Sequence, residues 1–241
     1  MKLERNIKQF DKDIEEGGQY AYTTERLSSV TANKVQTDLT VRYAGLKNKR
    51  VIDVGCGDGT YTASIMSSTG AKEIVGIDPA KVAIARAKKK YRSEKNLSFF
   101  VYSCYDLPYK DNEFDVAVVR GVLHHLDHPF KGLKEIVRVS REVFIIEPNG
   151  YNPILKIIEK ASPYHRAHDE KSYPPYRFRA WLKKLHCTIE HTSFNNVVPF
   201  FAPDFIVRPL LALNPVIEKI PLVRSLLCAS YVIVVRKSAQ K

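Results

Sequence analysis

Short runs of β-branched and apolar residues alternate, through the middle of this chain, with stretches whose apolar positions recur at helical spacing. Val51, Ile52 and Val54 form the first run, and others cover 73–77, 97–101, 116–119 and 142–146. Continuous apolar runs of this length fit strands covered on both faces of a sheet. The intervening stretches predict helices from about 60 onward, over 81–91 and over 129–140. The second has an Ala-rich inner side (Ala83, Ala85, Ala87), and the third turns Phe130, Leu133, Ile136 and Val137 inward. Lys88-Lys89-Lys90 ends the 81–91 helix where cations complement the helix dipole, and reads as a solvated face.

Strands alternating with helices specify an α/β fold with a mostly parallel sheet and helices on both faces. Before the first strand, 1–49 read as polar helices broken at Gly17-Gly18. The second of these, around 24–44, directs Leu27, Val30, Val35, Leu39 and Tyr43 at the sheet. After 150 the pattern predicts helices over 154–162 and 175–186, the latter around Trp181 and Leu185. A sixth strand follows over 188–194 and a seventh over 229–235. Between those two, 197–227 is apolar but cut by prolines at 199, 203, 209, 215 and 221, which predicts short helices. The whole reads as one domain: an N-terminal helical lid (1–49), a core (50–150), and further helices with the final strands (151–241).

The first strand runs into Gly55-Cys56-Gly57-Asp58-Gly59-Thr60. Glycines there let the backbone turn sharply and approach a ligand, and the following helix points free N–H groups at the same spot. The dinucleotide fingerprint is G-x-G-x-x-G. Here the spacing is G-x-G-x-G, and Thr60 stands where its third glycine would be. Asp53, on the strand before the turn, suits a ligand bearing an ammonium group better than a pyrophosphate. Asp78 ends the second apolar run and is placed to hold two ribose hydroxyls. This D-x-G-x-G-x-G turn with its second-strand aspartate resembles motifs I and II of the class I, Rossmann-like S-adenosylmethionine-dependent methyltransferases, small-molecule type.

That resemblance implies S-adenosylmethionine as cofactor and a seven-stranded sheet whose last strand is antiparallel. It places Asp53 on the cofactor ammonium, Gly55, Cys56 and Gly57 at the backbone approach, and Asp78 with Pro79 at the ribose. Tyr102–Tyr109 resembles the adenine-contacting segment, with Ser103 where the family usually has an aspartate. Ser103, Cys104 and Tyr105 are therefore the adenine-side candidates. The resemblance puts the Arg120 backbone carbonyl near the methionine part and His124 or His125 near the methyl group. Either imidazole can take a proton from an acceptor near neutral pH. In related enzymes an N-terminal segment closes over the site, which makes Tyr20, Tyr22 and Arg26 contacts of cofactor or substrate. Glu147 and Asn149, at the end of the fifth strand, and His165 are the remaining substrate-side candidates. His165 and His168 beside Asp169 have the spacing of metal ligands on one helix face. No further ligand pair accompanies them and methyl transfer needs no metal, so none is expected.

Composition narrows the acceptor less than the cofactor. With 44% apolar and 27% charged residues the chain is an ordinary globular protein, and the charged first sixteen residues do not read as a signal peptide. Scattered cysteines at 56, 104, 187 and 228 fit reduced thiols in a cytoplasmic protein. The net charge of +12 is concentrated late, where 151–241 hold 14 Lys and Arg against 6 Asp and Glu. Such a balance suits nucleic acid, a phosphorylated small molecule, an anionic membrane face, or solubility alone. The apolar 197–227 region favours a small-molecule, sugar or lipid-like acceptor. Its charges exclude a transmembrane span but allow peripheral membrane contact. An RNA (tRNA) acceptor stays open on charge, though the Asn/Asp-Pro-Pro-aromatic motif of base amino-group methylation is lacking. A cofactor-binding, non-catalytic partner subunit is the third alternative.

Overall fold

The apolar runs form one seven-stranded sheet in a computed structural model that describes residues 2–17, 23–168, 170–200 and 202–238. The strands are β1 (Arg50–Val54), β2 (Glu73–Asp78), β3 (Leu97–Val101), β4 (Phe114–Arg120), β5 (Ser140–Pro148), β6 (Cys187–Asn195) and β7 (Ser230–Lys237). Their order across the sheet is β3-β2-β1-β4-β5-β7-β6. The first five pair in parallel, and β7 runs antiparallel to both neighbours. Chain direction in the sheet reverses its stepping between β1 and β4, the place where open α/β sheets leave a crevice for a ligand.

Ten helices are described: α1 (Lys2–Gly17), α2 (Leu27–Tyr43), α3 (Thr60–Thr69), α4 (Lys81–Lys90), α5 (Pro129–Val139), α6 (Pro153–Ala161), α7 (Pro163–Ala167), α8 (Pro175–Lys184), α9 (Asp204–Lys219) and α10 (Pro221–Leu227). The period-2 alternation of each strand feeds two cores. Ile52, Val54, Ala117, Val119 and Ile145 meet Leu133 and Ile136 of α5 and Phe178 and Leu182 of α8. Val51, Val116, Val118 and Phe144 point the other way, onto Leu39 of α2 and Ile65 of α3. These faces hold the carboxyl ends of β1, β2 and β4 in register.

Several sequence expectations change. On α2, Val30 is 52% exposed, and the buried face is polar: Ser28, Ser29, Asn33, Thr37 and Thr40 surround Ala32 and Leu39. In α4 the inner positions are Ala83, Ile84 and Ala87, and Ala85 faces solvent. Phe178 and Leu182, rather than Trp181 and Leu185, are the fully buried anchors of α8. The proline-cut region contains one long helix, α9, with Pro209 and Pro215 inside it. Both prolines are exposed, on the side of the helix where water can reach the carbonyls they leave unbonded. Among the described residues, no helix is long and apolar enough to cross a membrane. All four cysteines are unpaired.

Candidate active site

At the end of β1, Gly55, Gly57 and Gly59 all have positive φ, which opens the turn toward the crevice. A Cβ on Gly55 would lie 2.5 Å from Cγ2 of Val122, so no other residue fits against the β4 turn without displacement. The loop is pinned to its neighbour strand: Gly55 and Cys56 donate N–H to the Ile77 carbonyl at 2.8 and 3.0 Å. Asp78 accepts from Gly57 N–H at 3.0 Å and from Ala80 N–H at 2.8 Å. Asp53 is buried and accepts the Thr62 hydroxyl at 2.6 Å. Burial pushes the carboxyl groups of Asp53 and Asp78 up to about 6. Two carboxylates kept at such a cost, with few local cations, mark a place made for a ligand carrying positive charge or hydroxyl donors.

Arg120, last residue of β4, turns its whole side chain into the same crevice. Its guanidinium lies over the Tyr61 ring at 5.0 Å, and Nη2 donates to Gln36 Oε1 at 3.4 Å. Nη1 is buried without a hydrogen-bond partner among the described residues. Burial lowers the Arg120 pKa, against the pull of Asp53. A carboxylate brought between them would satisfy that donor.

Beyond Gly121 the chain makes a short helical turn over Leu123–His125. Glu147 at the end of β5 organises it. Its Oε1 accepts from Val122 and Leu123 N–H, both at 2.8 Å, and its Oε2 accepts from His124 N–H at 3.2 Å and His124 Nδ1 at 2.8 Å. Burial opposes charge on the His124 ring, yet the Glu147 carboxylate outweighs it and raises the pKa. The His125 ring lies 3.9 Å from that of His124 and meets the edge of Phe10 from α1 at 5.2 Å. His165 of α7 approaches Glu170 at 3.4 Å.

One cavity joins all of this. It is lined by Asp53, Gly55, Cys56, Gly57, Asp78, Pro79, Ser103, Cys104 and Arg120 at one end, and by His124, His125, Glu147 and His165 at the other. Ser103 keeps its hydroxyl near Tyr105 N–H at 3.4 Å while lining the cavity. Two candidates lie elsewhere. The Tyr105 hydroxyl turns away to accept His128 N–H at 3.0 Å. Asn149 is fully buried, with its amide donating to the Ser225 and Cys228 carbonyls at 2.9 Å and its oxygen accepting Tyr151 N–H, so it clamps the chain before β7 and does not line the cavity. Arg26 is exposed where α2 begins. Tyr20 and Tyr22 lie outside the described residues. Asn33, Gln36, Tyr61, Glu159 and Glu170 also line the cavity and were not expected. Asn33 had a signal: Ser29, Asn33 and Thr37 repeat every four residues, a polar stripe on the buried side of α2.

Residues 52–143 match the family described as the methyltransferase domain. Over these residues the chain carries a methyltransferase domain of the class I, S-adenosylmethionine-dependent type. An uncharacterized methyltransferase of Schizosaccharomyces pombe is 34% identical over 113 residues, which is 44% of this chain and 38% of that protein. The tRNA U34 carboxymethyltransferase of Methylococcus capsulatus is 35% identical over 95 residues, 39% of this chain and 29% of that one. The match thus spans about a third of the length of these curated relatives. The crystal structure of the cyclase SpnF superposes with a TM-score of 0.66 at 20% identity, covering 87% of this chain and 82% of that one, and shares the fold.

S-adenosylmethionine is the cofactor of this domain class, and the crevice fits it. The cofactor offers an ammonium, a carboxylate and two ribose hydroxyls. The methyltransferase domain presents the buried carboxylate of Asp53, the unpartnered Nη1 of Arg120, and Asp78 beside a turn that a Cβ on Gly55 would block.

Proposed function

We propose that the protein transfers a methyl group from S-adenosylmethionine to a small, lipophilic acceptor bound at the histidine end of the cavity. The observation that carries this reading is the continuity of that cavity from the Asp53–Arg120 pair to His124, His125 and His165. Bound there, the cofactor supplies a methyl on a sulfonium, displaced in line by the acceptor. Asp53 holds the ammonium, Arg120 the carboxylate, and Asp78 the ribose, which sets the direction of the methyl group. His124 and His125 face the acceptor's reacting atom, with Glu147 fixing the His124 ring. Ile7 and Phe10 of α1 line the cavity, and α1 is tied to α4 through Asp11, which accepts Val82 N–H at 3.2 Å. The N-terminal helices then act as the lid that keeps water out.

Leu155, Ile158, Val198 and Pro199 make the acceptor end apolar, while Glu147 and Glu170 disfavour an anion there. Lipid-like character also suits the outer surface, where Ile157 of α6, Phe205 of α9 and Leu222 of α10 are 65%, 80% and 72% exposed, as on a face that rests against a membrane. A tRNA acceptor is the second reading, supported by the net charge of +12 and by relatives named tRNA U34 carboxymethyltransferase. Incubation with methyl-labelled cofactor, separately with bulk tRNA and with an organic-phase cell extract, decides between them. Label in the organic phase supports the first reading. Label in tRNA, with binding that weakens steeply as salt rises, moves the assignment to RNA.

A further inference from the structure

The acceptor end contains a set of side chains that positioning of a methyl group does not require. His124, His125 and Glu170 each offer one donor atom, and the three atoms lie within 4.8 Å of one another. A tetrahedral divalent ion about 2.1 Å from each donor sets them ~3.4 Å apart, within a rotamer adjustment of this arrangement. Two imidazoles and one carboxylate with a fourth position left open is the donor set of catalytic zinc centres. The three groups come from the turn after β4 and the segment after α7, and all three residues line the cavity.

A separate feature supports a cation. Glu147 grips Nδ1 of His124 at 2.8 Å, which leaves Nε2 as the nitrogen available to a ligand. A buried carboxylate behind a histidine fixes ring orientation and raises ligand basicity at metal centres. Glu147 is only 2% exposed, and the Glu170 side chain only 8%. Glu170 meets His165 Nε2 at 3.4 Å, so its carboxylate is held among imidazoles. Glu170 is also fixed in place, its N–H donating to the His165 carbonyl at 3.0 Å.

We infer that His124, His125 and Glu170 bind a divalent transition-metal ion, of the zinc class, at the acceptor end of the cavity. The inference rests on the proposed acceptor site and narrows it: the open position takes an oxygen, so the acceptor carries a hydroxyl or enol beside its apolar body. Binding to the ion lowers the pKa of that hydroxyl. Its proton leaves to solvent, the oxygen forms the new C–O bond, and the C–S bond breaks with its electron pair retained on sulfur.

The test uses the full chain freed of metal by a chelator. Co²⁺ is titrated by calorimetry and by visible absorption, and S-adenosylhomocysteine binding is measured on every sample. The inference predicts one Co²⁺ per chain with visible bands. Glu170→Gln should bind Co²⁺ at least about tenfold more weakly, and Glu147→Gln about 10–100-fold more weakly, as for loss of an outer-shell partner. Both variants should still bind S-adenosylhomocysteine, which shows that the fold and cofactor end survive. Wild-type protein that binds S-adenosylhomocysteine but gives neither heat nor bands with Co²⁺ overturns the metal site alone. So does Glu170→Gln binding Co²⁺ as tightly as wild type. Failure to bind S-adenosylhomocysteine would instead strike the methyltransferase reading on which the inference rests.

Discussion

Replacing Asp53 by asparagine tests the proposed contact with the cofactor's ammonium, and its effect has a definite pH signature. Asp53 is 5% exposed, and burial lifts its carboxyl from 3.8 to about 6. In the protein without cofactor, this raised value favours the protonated form of the folded state. As far as this group is concerned, stability is fully present below pH 3.8 and is lost as pH rises through 6, by ~3 kcal/mol. A bound ammonium reverses the preference, because it requires the carboxylate. With a pKa near 6, about one Asp53 in eleven is ionised at pH 5 and about ten in eleven at pH 7. Affinity should therefore rise about tenfold between those values, ~1.4 kcal/mol, from Asp53 alone. Asp78 is raised to about 6 as well, in small part by the charge of Asp53, and titrates in both proteins. S-adenosylhomocysteine titrated calorimetrically into wild type and Asp53→Asn at pH 5 and 7 reads the effect. The wild-type affinity ratio should exceed the variant's about tenfold. At pH 7 the variant should bind about 10–100-fold more weakly, the size of a lost charged hydrogen bond. Equal ratios in the two proteins would refute the ammonium–Asp53 contact.

Arg120→Met should weaken S-adenosylhomocysteine binding by about 10–100-fold, the size of lost hydrogen bonds to a charged group, and should lower urea stability, since it also removes the Gln36 and Tyr61 contacts and the cation facing buried Asp53. A variant that binds normally contradicts the carboxylate role. Gly55→Ala forces a Cβ to 2.5 Å from Val122 at a φ of +74°, so it should lose at least ~1–2 kcal/mol in urea denaturation and most cofactor binding. Tyr231→Phe deletes a buried hydroxyl with no hydrogen-bond partner and should be neutral or stabilising by up to ~1–2 kcal/mol; a clear loss of stability would show a contact that the structure does not. Phe178→Ala opens a void where α8 meets the sheet and should cost ~3–5 kcal/mol by the same assay.

The sheet and the cofactor end were legible because their signals are local. A run such as Val51–Val54 must be a doubly covered strand, and glycines at 55, 57 and 59 must turn it, whatever else the chain does. Asp53 and Asp78 follow from their places on those strands. Side-chain direction beyond the strands was not legible. Tyr105 and Arg120 each had two ways to point, and tertiary packing turned one to His128 and the other into the cavity. The burial rule inverts on α2, where a largely polar face lies inward and Val30 faces solvent; from this helix Asn33 and Gln36 reach the cavity. The position of Asn149 after β5 suggests a substrate contact, but its partners lie more than seventy residues on, at Ser225 and Cys228. The approach of Glu170 to His124 and His125 is likewise set by how α6 and α7 fold back, which no spacing encodes.

The central claim is that the crevice at the ends of β1, β2 and β4 holds S-adenosylmethionine. Calorimetric titration of S-adenosylmethionine and S-adenosylhomocysteine into the wild-type protein at pH 7, with NAD in parallel, tests it most directly. The account predicts one site per chain with micromolar affinity for both sulfur nucleosides and no heat with NAD. Binding of NAD, or of none of the three, would contradict it.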